Sequence, residues 1–215
     1  MVATSHFLPP PTVARRQMHQ REIKLQAFER EDGLFDLEAV LEDVKSEPFP
    51  AHSQTFPAGV PLHLMALRLT VDSHLTVVQV QAAMHRSPVP SLCPEATGKL
   101  QRLVGCNLLN GFRRAVAEKL PTNERCTHLS ELAPLLPTLA LQALAQFKSG
   151  SLATSRAEQA RPLKIGGCHA WRADGPLTER YFPQWYTGPR TDEKAAKAVC
   201  ASQSPSPAPP LDANG

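Results

Sequence analysis

No stretch of about 18 consecutive apolar residues occurs anywhere in the 215-residue chain, which leaves no candidate for a membrane-spanning helix. Aromatic residues are scarce, at 6% with only two Trp and two Tyr, and no basic stripe interleaves them, so nucleic acid is not an expected partner. The formal charge of +3 arises from 23 basic and 20 acidic residues that are well mixed along the chain. A weak basic cluster, Arg15, Arg16, His19 and Arg21, precedes the first expected strand and reads as solvated. No Cys-x-x-Cys pair occurs, and the five cysteines, Cys93, Cys106, Cys126, Cys168 and Cys200, are odd in number and irregular in spacing. That pattern argues against a disulfide framework and leaves thiols free for packing, metal or catalysis. Met1 to Thr12 holds no apolar run of signal-peptide length, and Pro9-Pro10-Pro11 interrupts any helix there, so a cytosolic (cytoplasmic) protein is expected.

What is present is 42% hydrophobic residues, enough for one domain with a real core. We expect a flexible N-terminal lead over 1–18, a single α+β domain over 19–186 and a disordered tail over 187–215. Arg21 to Glu29 reads as a strand, Asp32-Gly33 as a hairpin turn, and Leu34 to Lys45 as a half-buried strand. Its Phe35, Leu37, Ala39 and Leu41 alternate with charged residues. Asp43 continues that apolar face, where a carboxylate either reaches water at the sheet rim or belongs to a site. Glu47 to Val60, with three prolines, reads as a loop. Leu62 to Val71 and Leu75 to Met84 form a second expected hairpin across Asp72-Ser73, with Val71 opposite His74 and His63 opposite Ala82.

His63 shares the core face of its strand, where a lone histidine is ordinarily a hydrogen-bonded core residue. If the second and third strands are antiparallel neighbours, Asp43 and His63 finish at one end of the sheet, and the chain leaves that end toward Cys93. From Pro94 the period becomes helical. One helix carries Ala96, Leu100, Leu103 and Val104 and ends at Gly105. A second, capped by Asn107, carries Leu108, Phe112, Val116 and Leu120. Cys106 at the break reads as a packing thiol. Leu132 to Phe147 reads as a helix kinked by Pro134 and Pro137, regular from about Thr138. After a linker from Ser149 to Arg161, Cys168 to Tyr186 suggests a hairpin around Asp174-Gly175 that contributes an aromatic cover.

Between the helices lies Cys126-Thr127-His128-Leu129, a thiol and an imidazole two residues apart at an expected helix start. Thr127 reads as the N-cap, and the local backbone N–H groups there favour a thiolate. Helices packed on one face of an antiparallel sheet of about four strands make an α+β layer fold. In it His63, Cys93, Cys126 and His128, with Asp43 as an oxygen donor, form a mixed set suited to zinc or iron. The leading expectation is a metal-binding protein that is also a candidate small metalloenzyme, with a metal ion and a small-molecule substrate as partners. Two alternatives stay open: an enzyme using Cys126 as nucleophile with His63 or His128 as base, and a noncatalytic adaptor.

Glu29 through Gly33, Asp43 with Lys45, His63 with Met65, Cys93, Gly111-Phe112 and above all Cys126-Thr127-His128-Leu129 resemble an uncharacterised bacterial family known only as a domain of unknown function. The resemblance spans about residues 20 to 186. The element order is also similar to iron–sulfur scaffold proteins of the NifU and IscU kind, whose ligands come from a strand, a loop after the last strand and a late helix start. His63, Cys93 and the Cys126/His128 motif occupy comparable places. The strand ligand here is His, the scaffold's Cys-Gly-Asp triplet is missing, and only two cysteines lie in ligand positions. What that resemblance implies is therefore a metal-binding domain on a related fold rather than cluster assembly.

Overall fold

Asp32-Gly33 turns the first hairpin with Gly33 at φ +79°, a left-handed conformation that glycine adopts without a side-chain clash. In the computed structural model, which describes residues 8–51, 54–150, 161–162 and 164–189, that turn joins β1 (His19–Glu29) to β2 (Phe35–Lys45). The pairing is antiparallel and sets Arg21 opposite Asp43, Ile23 opposite Leu41 and Ala27 opposite Leu37. The loop expected from Glu47 to Val60 instead contains a small ribbon, β3 (Phe49–Ala51) with β4 (Gln54–Phe56). Its short, proline-containing strands show no run long enough for alternation to register.

β5 (Pro61–Val71) and β6 (Val77–Arg86) complete a four-stranded antiparallel sheet in the order β1-β2-β5-β6. β2 pairs with β5 so that Asp43 faces His63 directly, and the register shifts between Asp43 and Val44, where Val44 meets Pro61. Such an irregularity is common where a strand bends beside a site. The second hairpin is longer than a two-residue turn. Asp72 accepts from the N–H groups of His74 and Thr76, both at 2.9 Å, and Val71 pairs with Val77 rather than His74. The extra residues let Leu75, at φ 64°, drop into the core, where it is 1% exposed. As a result Ala82 lies opposite Leu67, and His63 sits beyond the Leu64–Arg86 pair.

One face of the sheet is apolar and covered. Leu37, Ala39 and Leu41 of β2 and Met65, Leu67, Leu69 and Val71 of β5 share a single core cluster with residues from the later part of the chain. The opposite face is polar: Arg68 bonds Glu38 at 2.7 Å, and the Thr70 hydroxyl donates to Asp36 at 2.7 Å. This is the α+β architecture expected, with one packed face and about four strands.

The covering layer is less regular than the helical period suggests. Two 3-10 helices, Cys93–Ala96 and Gly98–Leu103, replace the first expected helix. Leu100 and Leu103 are buried, while Val104 is exposed because the chain has already turned out toward Gly105 at φ +82°. Asn107 does not cap a helix; its side-chain amide donates to the His74 carbonyl at 2.8 Å. α1 (Phe112–Lys119) starts only after Gly111. α2 (Thr127–Leu132) has Cys126, not Thr127, at its N-cap, with extended φ −79° and ψ 121°. Pro134 falls in a 3-10 turn, Ala133–Leu135, and α3 (Leu136–Gly150) restarts one residue before Pro137, which fits in the first turn of a helix without breaking it. Cys106 is 8% exposed within the core, the packing role expected of it.

The chain divides into two compact units, Met1–Ser151 and Leu152–Gly215. In the second, the expected hairpin is absent among the described residues. Gly175-Pro176 begins α4 (Pro176–Tyr181) instead, with Pro176 in the first turn, where its missing N–H costs nothing. A 3-10 turn, Pro183–Trp185, follows. The aromatic residues pack on one another: Trp171 lies 5.8 Å from Phe182, and the Lys164 ammonium stands 4.5 Å above the Trp171 ring. No helix among the described residues is long and apolar enough to cross a membrane. Of the linker expected from Ser149 to Arg161, Ser149 and Gly150 instead end α3, and 151–160 lie outside the described residues, as do 190–215 of the expected tail and the first seven residues.

Candidate functional site

The alternation that buries Leu37, Ala39 and Leu41 carries Asp43 onto the same face, and Asp43 is only 1% exposed. Its carboxylate is surrounded by side-chain nitrogen atoms. Arg21 approaches side-on, its Nε 2.7 Å from Oδ1 and its Nη2 2.8 Å from Oδ2. The His19 Nε2 lies 3.2 Å from Oδ1 and the His63 Nδ1 3.1 Å from Oδ2. The His128 Nε2 stands 3.6 Å from Oδ2, outside hydrogen-bond range. Arg21 also reaches Glu131 of α2 at 2.8 Å, tying the edge strand to the helix that carries His128.

The charges settle accordingly. Burial raises the Asp43 pKa, but the paired Arg21 guanidinium outweighs it and the carboxyl ends below its ordinary range. Burial pushes His63 down from the ordinary 6.5 to about 4, assisted by His128 and Arg21 and opposed by Asp43. His128 is also lowered, by burial and then by Arg21. Both rings are therefore neutral at pH 7. They lie face to face at 3.9 Å between centroids with a 33° tilt. Two neutral imidazoles beside an ionised carboxylate form a donor set in the protonation state that metals require.

Asp43 Oδ2, the His63 ring and the His128 ring each offer one ligand atom, and all three lie within 4.8 Å of one another. Donors about 2.1 Å from a tetrahedral ion stand about 3.4 Å apart. The 3.1 and 3.6 Å separations from Asp43 to the two histidines bracket that edge. Cys93 and Cys126 do not belong to this close group among the described residues. They line, with His63 and His128, a cavity of about 670 Å³. The Cys126 thiol rests 3.8 Å from the Met65 sulfur. Burial pushes it up; the N–H groups of Leu129 and His128 pull the other way without prevailing, so the thiolate expected at this helix start is not favoured.

A family model described as "Protein of unknown function (DUF2889)" matches residues 19–142. The chain belongs to that family. The matched segment holds Arg21, Asp43, His63, Cys93, Cys126 and His128, and it ends well short of residue 186, to which the sequence resemblance extends. No curated protein and no solved structure matches the chain.

His19 and Arg21 are the members of the cluster that composition conceals. Read as part of a solvated basic cluster, they instead lie on β1 and bind Asp43. The hairpin contained the signal: Arg21 and Asp43 are equidistant from Asp32 at the turn and pair in its register. Glu131 has no comparable mark, because its partner Arg21 is 110 residues away. Of the same cluster, Arg16 pairs with Glu47 at the exposed surface.

Proposed function

We propose that the protein binds a zinc or iron ion through Asp43, His63 and His128 and acts as a metalloprotein on a small molecule held in the adjoining cavity. The carrying observation is the approach of three potential ligand atoms to within 4.8 Å on a buried face. Two imidazoles and a carboxylate suit zinc with an open fourth position, and they equally suit ferrous iron with one face of its octahedron open. Arg21 serves as the outer partner that holds the Asp43 carboxylate in place, the role that hydrogen-bonded groups play behind metal ligands. His63 and His128 line the cavity, so a molecule within it has access to the positions the protein leaves free. Cys93 and Cys126 stand on the same wall as further donors. The strand-then-helix order that resembles the iron–sulfur scaffold belongs to this reading as a proposal about ancestry of the fold.

The Cys126-nucleophile reading relies on a thiol that burial keeps protonated. The adaptor reading assigns no role to a buried carboxylate ringed by three imidazoles.

The test is metal analysis of protein purified anaerobically without added metal, followed by titration with zinc and ferrous ions. We expect about one ion per chain, lost in His63→Ala/His128→Ala and retained in Cys93→Ser/Cys126→Ser. Wild-type protein that neither carries nor takes up either ion defeats the proposal.

A further inference from the structure

The cavity beside the histidines has a charged wall that the metal proposal leaves unused. Arg125 lines it, and its Nε is buried without a hydrogen-bond partner. The guanidinium is held from behind, Nη1 donating to the Leu120 carbonyl at 3.2 Å. Among the described residues no carboxylate lies within 4.0 Å of it. Lys99, Glu95 and Glu124 line the same cavity. Glu124 is taken by Arg102 at 2.5 Å and by Lys99 at 3.8 Å, and Glu95 is exposed to solvent. A half-buried guanidinium fixed in place, with donors to spare and no counter-charge, is built to receive an anion, and a planar carboxylate matches its fork.

One part of the wall is apolar. Val89, Leu92 and Met65 line the same cavity, and Leu92 is 63% exposed there despite its size. An apolar body lying on Leu92 and Val89 removes that surface from water. We propose that the ligand of this site is a small organic carboxylate: Arg125 binds its carboxylate, the Leu92–Val89 wall covers its hydrocarbon part, and the cavity presents it to the histidines. This deepens the metal reading and rests on it for the ligand's purpose, not for the anion subsite itself.

The probe pair is hexanoate and hexanamide, alike in shape and different in charge, titrated against the full-length zinc-loaded protein. We expect hexanoate to bind at least tenfold more tightly than hexanamide. Arg125→Gln should reduce that preference to below threefold, while Arg125→Lys, which keeps the charge and guards against a merely structural loss, keeps most of it. Equal binding of acid and amide to wild type, or an undiminished preference in Arg125→Gln, overturns the proposal. The His63→Ala/His128→Ala chain separates the two readings. An acid preference that survives there upholds the Arg125 subsite whatever metal analysis shows. A preference lost there and unaffected by Arg125→Gln means that the acid sits on the ion, and Arg125 is not its anchor.

Discussion

Along the helix-facing side of β2 and β5, Leu37, Leu41, Leu67 and Leu69 are as completely buried as Asp43, yet the two ends of this one face differ in kind. The leucine end is stabilised by dispersion and by apolar area withdrawn from water, terms that ask only for the right volume. The Asp43 end buries a charge and partly buries two imidazoles, which is unfavourable unless every group finds a partner. Arg21 neutralises the carboxylate, and both histidines remain neutral at pH 7. The same strands thus provide a self-sufficient core at one end and, at the other, a polar cluster whose groups depend on one another for partners.

The comparison breaks first, and most strongly, at the leucine end. Leu67→Ala is expected to destabilise the chain by about 2–5 kcal/mol through lost contacts and a residual cavity. Metal uptake by the folded fraction should be unchanged. Urea denaturation beside a zinc titration checks both, and reduced uptake per folded chain means that the two ends are not separable.

Next comes Arg21→Ala, which leaves Asp43 buried without its counter-charge at a cost on the order of 3 kcal/mol. Because Arg21 lowers both His63 and His128, their pKa values should rise in the variant. Titration of the imidazole proton resonances reads that shift directly; unchanged values dismiss Arg21 as the organiser of the cluster.

The smallest effect sharpens the contrast through pH, in the metal-free chain. His63 has a folded pKa of about 4 against 6.5 ordinarily, so the unfolded chain takes up its proton first as the pH falls. Its contribution is complete above pH 6.5 and is lost between there and about pH 4, a change on the order of 3 kcal/mol at most. Asp43, depressed below its ordinary value, adds a further loss at still lower pH. Urea midpoints at pH 7.5 and 4.5 should therefore diverge in wild type and diverge less in His63→Gln, where the lowered His128 still contributes. Equal divergence in the variant assigns the pH dependence elsewhere.

Much of this cluster was legible before folding. Alternation at period two places Asp43 and His63 on the core face, and the order of strands brings them to one sheet end, where they pair directly. The Cys126 motif does mark a helix start, although Cys126 rather than Thr127 is the boundary residue. The protonation of its thiol was not legible, since burial beside Met65 is decided by distant chain. Arg21 was legible only through the hairpin register that sets it opposite Asp43, and its charge read as solvated without that pairing.

The four long strands, their faces and the sheet's single apolar side follow from the sequence alone, because alternation and an Asp-Gly turn act over neighbouring residues, whereas the short β3–β4 ribbon does not. Only the tertiary structure decided that the α2 histidine approaches the β2 carboxylate, that Arg21 bridges Asp43 and Glu131, and that Arg125 borders the cavity without a counter-charge. Those facts depend on contacts between residues far apart in the chain, which no local pattern encodes and which arise when apolar burial brings the elements together.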